Sequence, residues 1–158
     1  MSLFRPQLWC IPTTGEAERR RLPELTATLE TRLKHIARRY PQAVFASSLA
    51  VEDMIITDAI CRLKLPLRII TLDTGKLNPE TAALITAVNV RYQTELEVFH
   101  PDPESARQFE QEFGATAMYD SVELRRRCCH IRKIEPLNRA LKNAPAWLTG
   151  QRRSQSHV

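Results

Sequence analysis

The chain has 158 residues, 43% of them apolar, and a formal net charge of +5. That is enough for one domain with a real core, and no apolar run approaches the roughly 20 residues of a membrane span. From Ser121 onward nine Lys or Arg stand against two Glu; a cationic end binds polyanions, but few aromatics interleave to stack on single strands, so a phosphate-bearing small molecule is preferred to nucleic acid.

Residues 1–20 contain Pro6, Pro12 and Gly15 and read as an irregular arm, with residues 21–158 as the folded domain. The opening Met1-Ser2-Leu3-Phe4-Arg5-Pro6 has neither the basic start nor the long apolar stretch of a signal peptide. A cytoplasmic location is therefore expected, and Cys10, Cys61, Cys128 and Cys129 are read as thiols rather than a disulfide framework.

Leu25, Leu29, Leu33, Ile36 and Tyr40 recur at helical spacing, predicting an amphipathic helix over 23–40. Ala43-Val44-Phe45-Ala46 is a short apolar strand, and Ser47-Ser48 leads into a helix whose inner face is expected to carry Met54, Ile55, Ala59, Ile60 and Leu63. A second strand runs over 67–72, ending in the loop Asp73-Thr74-Gly75. Asn78-Pro79-Glu80 offers a cap, a first-turn proline and an acid, so a helix is predicted from there to about Asn89. A third strand at 96–99 precedes His100-Pro101-Asp102-Pro103, then a helix to Phe113 stopped by Gly114. A helical stretch covers 121–141, and Ala146-Trp147-Leu148-Thr149 is the fourth strand.

Strands alternate with helices, and short, wholly apolar strands suit a doubly wound, mainly parallel sheet covered on both faces. Ligands of such sheets bind beyond the carboxyl ends of the strands. The loops to watch therefore follow Ala46, Leu72, Phe99 and Thr149.

Each loop has chemistry that is weak alone. Ser47-Ser48 at a helix start combines hydroxyls with free N–H groups as an anion cradle, yet such a pair also serves as an ordinary cap. It is neither a Walker loop nor a dinucleotide fingerprint. Leu72-Asp73-Thr74-Gly75 offers an acceptor, a hydroxyl and a flexible residue for a base or ribose, or simply an Asx turn. Arg152 and Arg153, after Gly150, suit phosphate or sulfate recognition or a solvated surface loop. Cys128-Cys129 lies among Arg125, Arg126, Arg127, Arg132 and Lys133. Nearby cations favour thiolate and adjacent cysteines resist bridging, so the pair reads as metal, cluster or redox chemistry, or as a chance doublet at a helix end.

Taken together, Phe45-Ala46-Ser47-Ser48-Leu49-Ala50-Val51-Glu52-Asp53, Thr71-Leu72-Asp73-Thr74-Gly75, Arg127-Cys128-Cys129, Arg132-Lys133, Pro136-Leu137 and the stretch 146–156 resemble the adenylyl-sulfate and phosphoadenylyl-sulfate reductases of assimilatory sulfate reduction. The resemblance spans about Ala43 to Ser156. It implies an adenine-nucleotide α-hydrolase-like (PP-loop-like) sheet and reduction of a sulfonucleotide to sulfite and the nucleotide, with thioredoxin as reductant. Ser47 and Ser48 would hold the phosphosulfate, Leu72, Asp73, Thr74 and Gly75 the adenosine, and Arg152 and Arg153 the anionic end. Cys128 and Cys129 would ligate a 4Fe–4S cluster, a feature of members that mostly use adenylyl sulfate, with Lys133 between cluster and substrate. A homo-oligomer is compatible with this reading.

The chain departs from the family in one respect. Members carry a later Cys-x-x-Cys, completing four thiolates, and a tail whose cysteine attacks sulfur to form a thiosulfonate. The sequence as given stops at Val158, so it is expected to hold no intact cluster and to be inactive alone. Cys10 and Cys61 lie in no such motif and are read as structural. The rival readings are a non-catalytic nucleotide-binding module and an ATP-pyrophosphatase relative such as a sulfate adenylyltransferase subunit. The second expects Ser-Gly-Gly-x-Asp-Ser where Ser47-Ser48-Leu49-Ala50-Val51-Glu52 stands.

Overall fold

The computed structural model describes residues 13–152. The chain divides into two compact units that part between Arg32 and Leu33. The first is the start of helix α1 (Glu16–Arg39), which begins seven residues before the predicted start at Pro23. Residues 16–20, expected to be irregular, are therefore helical. Glu16 and Glu18 favour the helix N-terminus, and an Arg20–Glu16 pair at 2.5 Å spans one turn. Pro23 sits inside the helix, where it lacks an N–H to donate. Leu25, expected on an inner face, is exposed.

The second unit contains the sheet. Its elements are β1 (Val44–Ala46), α2 (Val51–Arg62), β2 (Arg68–Leu72), α3 (Pro79–Tyr92), β3 (Glu97–Phe99), α4 (Pro103–Phe113), α5 (Val122–Cys129), α6 (Glu135–Leu141) and β4 (Trp147–Leu148). The four strands lie in the order β3-β2-β1-β4, and every pair is parallel. The order reverses beside β1. Right-handed crossovers then place α2 and α3 on one face and the β3–β4 connection on the other, the doubly wound arrangement expected. Among the described residues no helix is long and apolar enough to cross a membrane.

Side chains two apart on a strand share a face. Val44, Ala46, Ile70, Leu72 and Phe99 form one face and meet Leu137, Ala140 and Leu141 of α6. The alternate residues Phe45, Ile69 and Thr71 are buried on the other. On α2 the buried positions are Asp53, Thr57, Ala59 and Ile60, whereas Ile55 is 56% exposed. Ala59 and Ile60 are thus inside as expected and Ile55 is not, and two polar residues are buried with partners: Thr57 Oγ1 donates to Asp53 O and Asp53 accepts from Ser48.

The caps follow the sequence. Asn78 accepts from Thr81 N–H at 2.8 Å, and Gly114 ends α4 with φ of 94°, a value that favours glycine. The stretch 121–141 is helical as expected, but it is interrupted by a π turn over His130–Ile134. There Glu135 N–H donates to His130 O, five residues back. Pro136 has no N–H to bond Arg132 O, and its ring crowds that carbonyl; widening the turn accommodates both. A second small core, Phe109, Ala117 and Cys128 with Met118, Leu124 and Ile131 around them, fastens this stretch to α4.

Candidate functional site

Because all four strands are parallel, their carboxyl ends and the loops that follow share one edge of the sheet. This edge includes the switch point between β1 and β4, where open α/β sheets take ligands. Three cavities adjoin there. The first, about 330 Å³, is lined by Ala46, Ser47, Leu49, Leu72, Thr74 and Lys133 among others. The second, about 320 Å³, lies between Ser48, Glu52, Asp53 and Thr149-Gly150-Gln151. The third, about 340 Å³, is walled by Cys128, Cys129, Met118, Arg132 and Lys133. Ser48 lines both the first and second, and Thr74, Leu77 and Lys133 line both the first and third.

The serine loop is built by its own hydrogen bonds. Ser47 N–H continues the ladder to Ile70 O at 2.8 Å, and its hydroxyl accepts from Leu49 N–H. Leu49 has φ of 63°, unfavourable for a residue with a side chain. Asp53, 7% exposed, holds the turn: its Oδ2 accepts from Ser48 N–H at 2.6 Å and from Ser48 Oγ at 2.5 Å. Gly150 packs so closely that a Cβ there would stand 2.0 Å from Asp53 Oδ1. Asp53 thus joins the loop after β1 to the loop after β4. Sequence reasoning quoted it without a role; the available signal was an acid near a helix N-terminus.

The loop after β2 closes on itself. Asp73 Oδ1 accepts from Gly75 N–H at 2.9 Å, and Thr74 Oγ1 accepts from Lys76 N–H at 3.2 Å. Gly75 has φ of 67°. Asp73 forms the Asx turn, with Oδ2 3.7 Å from His100 Nδ1. Of the expected group, Leu72 and Thr74 line the first cavity, whereas Asp73 and Gly75 shape the loop behind it.

Arg152 pairs with Glu52 at 3.2 Å beside the second cavity, while Arg153 lies outside the described residues. Lys133 is exposed and lines the wall between the first and third cavities. Cys128 is buried with its thiol 3.8 Å from Met118 Sδ, and Cys129 is half-buried. The cysteine stretch is continuous helix. Three flanking guanidiniums, expected to favour the thiolates, are engaged elsewhere. Arg125 donates to Met118 O, Arg127 pairs with Glu112 over the Phe113 ring, and Arg132 reaches Thr74 and Glu110. Each is held by these partners, although Arg125 and Arg132 also line the cavity walled by Cys128 and Cys129.

Among the described residues no group of three or more His, Cys, Asp or Glu stands ready for a metal ion. The donor set therefore fits a thiolate-bound cluster in part: two soft ligands at one open cavity, half of a usual four. Cys61 sits near the end of α2. Burial, and then the Asp58 carboxylate, raises its thiol pKa, consistent with an unreactive role.

Residues 42–158 match the phosphoadenosine phosphosulfate reductase domain. The chain is 49% identical over 156 residues to adenosine 5'-phosphosulfate reductase of Neisseria meningitidis serogroup B, covering 98% of this chain and 63% of that protein. It is 50% identical over 137 residues to the Burkholderia cepacia protein of that name, covering 85% and 55%. The chain thus spans less than two thirds of these curated relatives. A crystal structure of phosphoadenylyl-sulfate reductase from Candida auris, in a phosphate complex, shares the fold with a TM-score of 0.67 at 24% identity, covering 91% of this chain and 71% of that one. The parallel sheet, the loops at its carboxyl edge and the match over 42–158 together show that the chain belongs to the phosphoadenosine phosphosulfate reductase domain family.

Proposed function

We propose that this chain forms the nucleotide-binding part of a reductase that converts adenylyl sulfate to sulfite and AMP. The observation that carries the reading is the row of three adjoining cavities, with Lys133 on the wall between the first and the third. The first, with Ala46, Leu49, Leu72 and Leu137 around the strand ends, suits adenosine, its flat base against aliphatic side chains. The second lies at the N-terminus of α2, where free N–H groups suit the phosphosulfate, with Ser48 beside it held by Asp53. Ser47 sets the loop, Arg152 and Arg153 bring cations to the anionic end, and Lys133 faces substrate from the third side.

Cys128 and Cys129 supply two thiolates of a 4Fe–4S cluster, the other two coming from outside the described residues; the greater length of the relatives leaves room for them. When bound, the cluster adds a charged, polarisable wall that Lys133 couples to the substrate. Cys128 is buried and both cysteines are committed as ligands, so the sulfur nucleophile is a thiol from outside the described residues. Its thiolate attacks the sulfate sulfur, the sulfur–oxygen bond to the phosphate breaks, and AMP leaves with the bond electrons. A dithiol of the thioredoxin class then reduces the thiosulfonate, releasing sulfite and leaving a disulfide. Adenylyl sulfate is favoured over its 3'-phosphorylated relative by the tandem cysteines, and the reaction belongs in the cytoplasm.

Titration calorimetry with adenylyl sulfate, AMP and adenosine tests the binding site. Adenylyl sulfate is expected to bind most tightly, and Arg152→Ala to weaken it more than adenosine, by roughly 1.5–3 kcal/mol for a charge-assisted contact. Equal losses for the two ligands sink the arginine's role. Sulfite release by the anaerobically purified full-length protein with thioredoxin tests the reaction, and absence of release leaves only a binding module.

A further inference from the structure

Resting on that reading, we infer that Arg132 is a positioning residue that locks the loop after β2 to the cysteine-bearing helix, so that a nucleotide in the first cavity is felt at Cys129. Arg132 is only 7% exposed, and burying a guanidinium is costly unless it is fully partnered. Its partners come from two other elements. Nη1 donates to Thr74 O at 2.8 Å, and Nη2 donates to Glu110 Oε1 at 2.7 Å. Glu110 Oε1 also holds Lys76 Nζ at 2.7 Å. Lys76 belongs to the same loop as Thr74, so the loop is gripped twice, at its backbone and through a carboxylate bridge. Gly75 lies between the two grips; a Cβ there would be 3.1 Å from Arg132 Nη1.

The π turn gives Arg132 this reach. Cys128, Arg132, Pro136 and Ala140 are all buried, each four residues after the last. In an α-helix each such step drifts about 40°, so Ala140 would stand about 120° round from Cys128. The extra residue of a π turn absorbs most of that drift. Arg132 therefore points inward with Cys128, while its neighbour Lys133 faces the cavities. Any movement of Thr74, which lines both the first and third cavities, is transmitted through one rigid guanidinium to the turn that follows Cys129. Such coupling is reciprocal.

The test uses this chain with AMP as the probe and three variants. Arg132→Gln removes the grip, Arg132→Lys keeps the charge but reaches one partner, and Glu110→Gln, at a part-exposed site, guards against a misfolded first variant. Without nucleotide, hydrogen exchange at the Gly75 and Lys76 amides is expected to quicken roughly tenfold in Arg132→Gln and in Glu110→Gln, the change for loss of one charge-assisted bond. Arg132→Lys should restore part of it, while Ile70 and Thr71 amides stay unchanged. In the parent chain AMP should alter the alkylation rate of Cys129, and Arg132→Gln should abolish that response. Unchanged loop exchange, or acceleration spread evenly over the sheet, overturns the inference and leaves the nucleotide reading intact. Failure of AMP to bind the parent chain sinks the nucleotide reading and the coupling to Cys129, while the exchange result alone still decides whether Arg132 holds the loop.

Discussion

At the residue scale the site depends on a buried carboxylate beside a glycine. Asp53 Oδ2 is fixed by two bonds from Ser48, so the carboxylate cannot swing aside to admit a side chain at Gly150. Gly150→Ala is therefore expected to cost about 1–3 kcal/mol, as overpacking does, and to weaken adenylyl sulfate binding, because the displaced Asp53 releases Ser48. Urea denaturation and calorimetry on the same variant measure both. Normal stability with normal binding would show that the loop after β4 shifts freely. Asp53 and Gly150 lie almost a hundred positions apart, so their contact could not be read from the sequence, although Ser47 and Ser48 could.

At the element scale β2 and β3 are tied by more than their backbone ladder. Arg68 at the start of β2 donates twice to Glu97, at 2.8 and 2.6 Å. The hydrogen bond from Arg68 holds the Glu97 pKa below its ordinary value of 4.5, against a smaller opposing effect of burial. A depressed carboxylate pKa adds stability above the unfolded-state pKa and loses it as pH falls through the folded one. Both side chains are about a third or more exposed, so the pair contributes at most about 1 kcal/mol. Glu97→Gln is expected to lower the melting temperature slightly at pH 7, and the gap should close below about pH 4. A gap that persists at pH 3 would assign the loss to packing instead. The pair is invisible to periodicity, because it depends on the register that sets Ile70 beside Glu97.

For the whole molecule, core and site share side chains. Ile70 is fully buried against Val44 and Ala140, yet it also lines the first cavity. Ile70→Ala is expected to cost about 2–5 kcal/mol and to weaken AMP binding in parallel, because the cavity floor and the sheet core are one layer. Urea midpoints and AMP titration on this variant test the link. Intact affinity in a destabilised protein would show that the cavity floor is set by the strand backbones alone.

The sequence by itself determined the alternation of strands and helices, the Asn78 and Gly114 boundaries and the loops that carry the chemistry. Those depend on local preferences: apolar runs, caps and residues that tolerate a turn. It placed Ala59 and Ile60 on the buried face of α2 but not Asp53 and Thr57, which take inner positions in place of Ile55 only once Ser48 and the Asp53 carbonyl supply partners. Nor could it place the arginines around Cys128 and Cys129. Neighbours in sequence leave a helix in different directions, so Arg127 bonds Glu112 while Arg132 bonds Glu110 and Thr74 beside the cavity of the cysteines. Tertiary structure decided that, because a buried guanidinium goes where acceptors converge, and acceptors converge only after the sheet has brought distant loops to one edge.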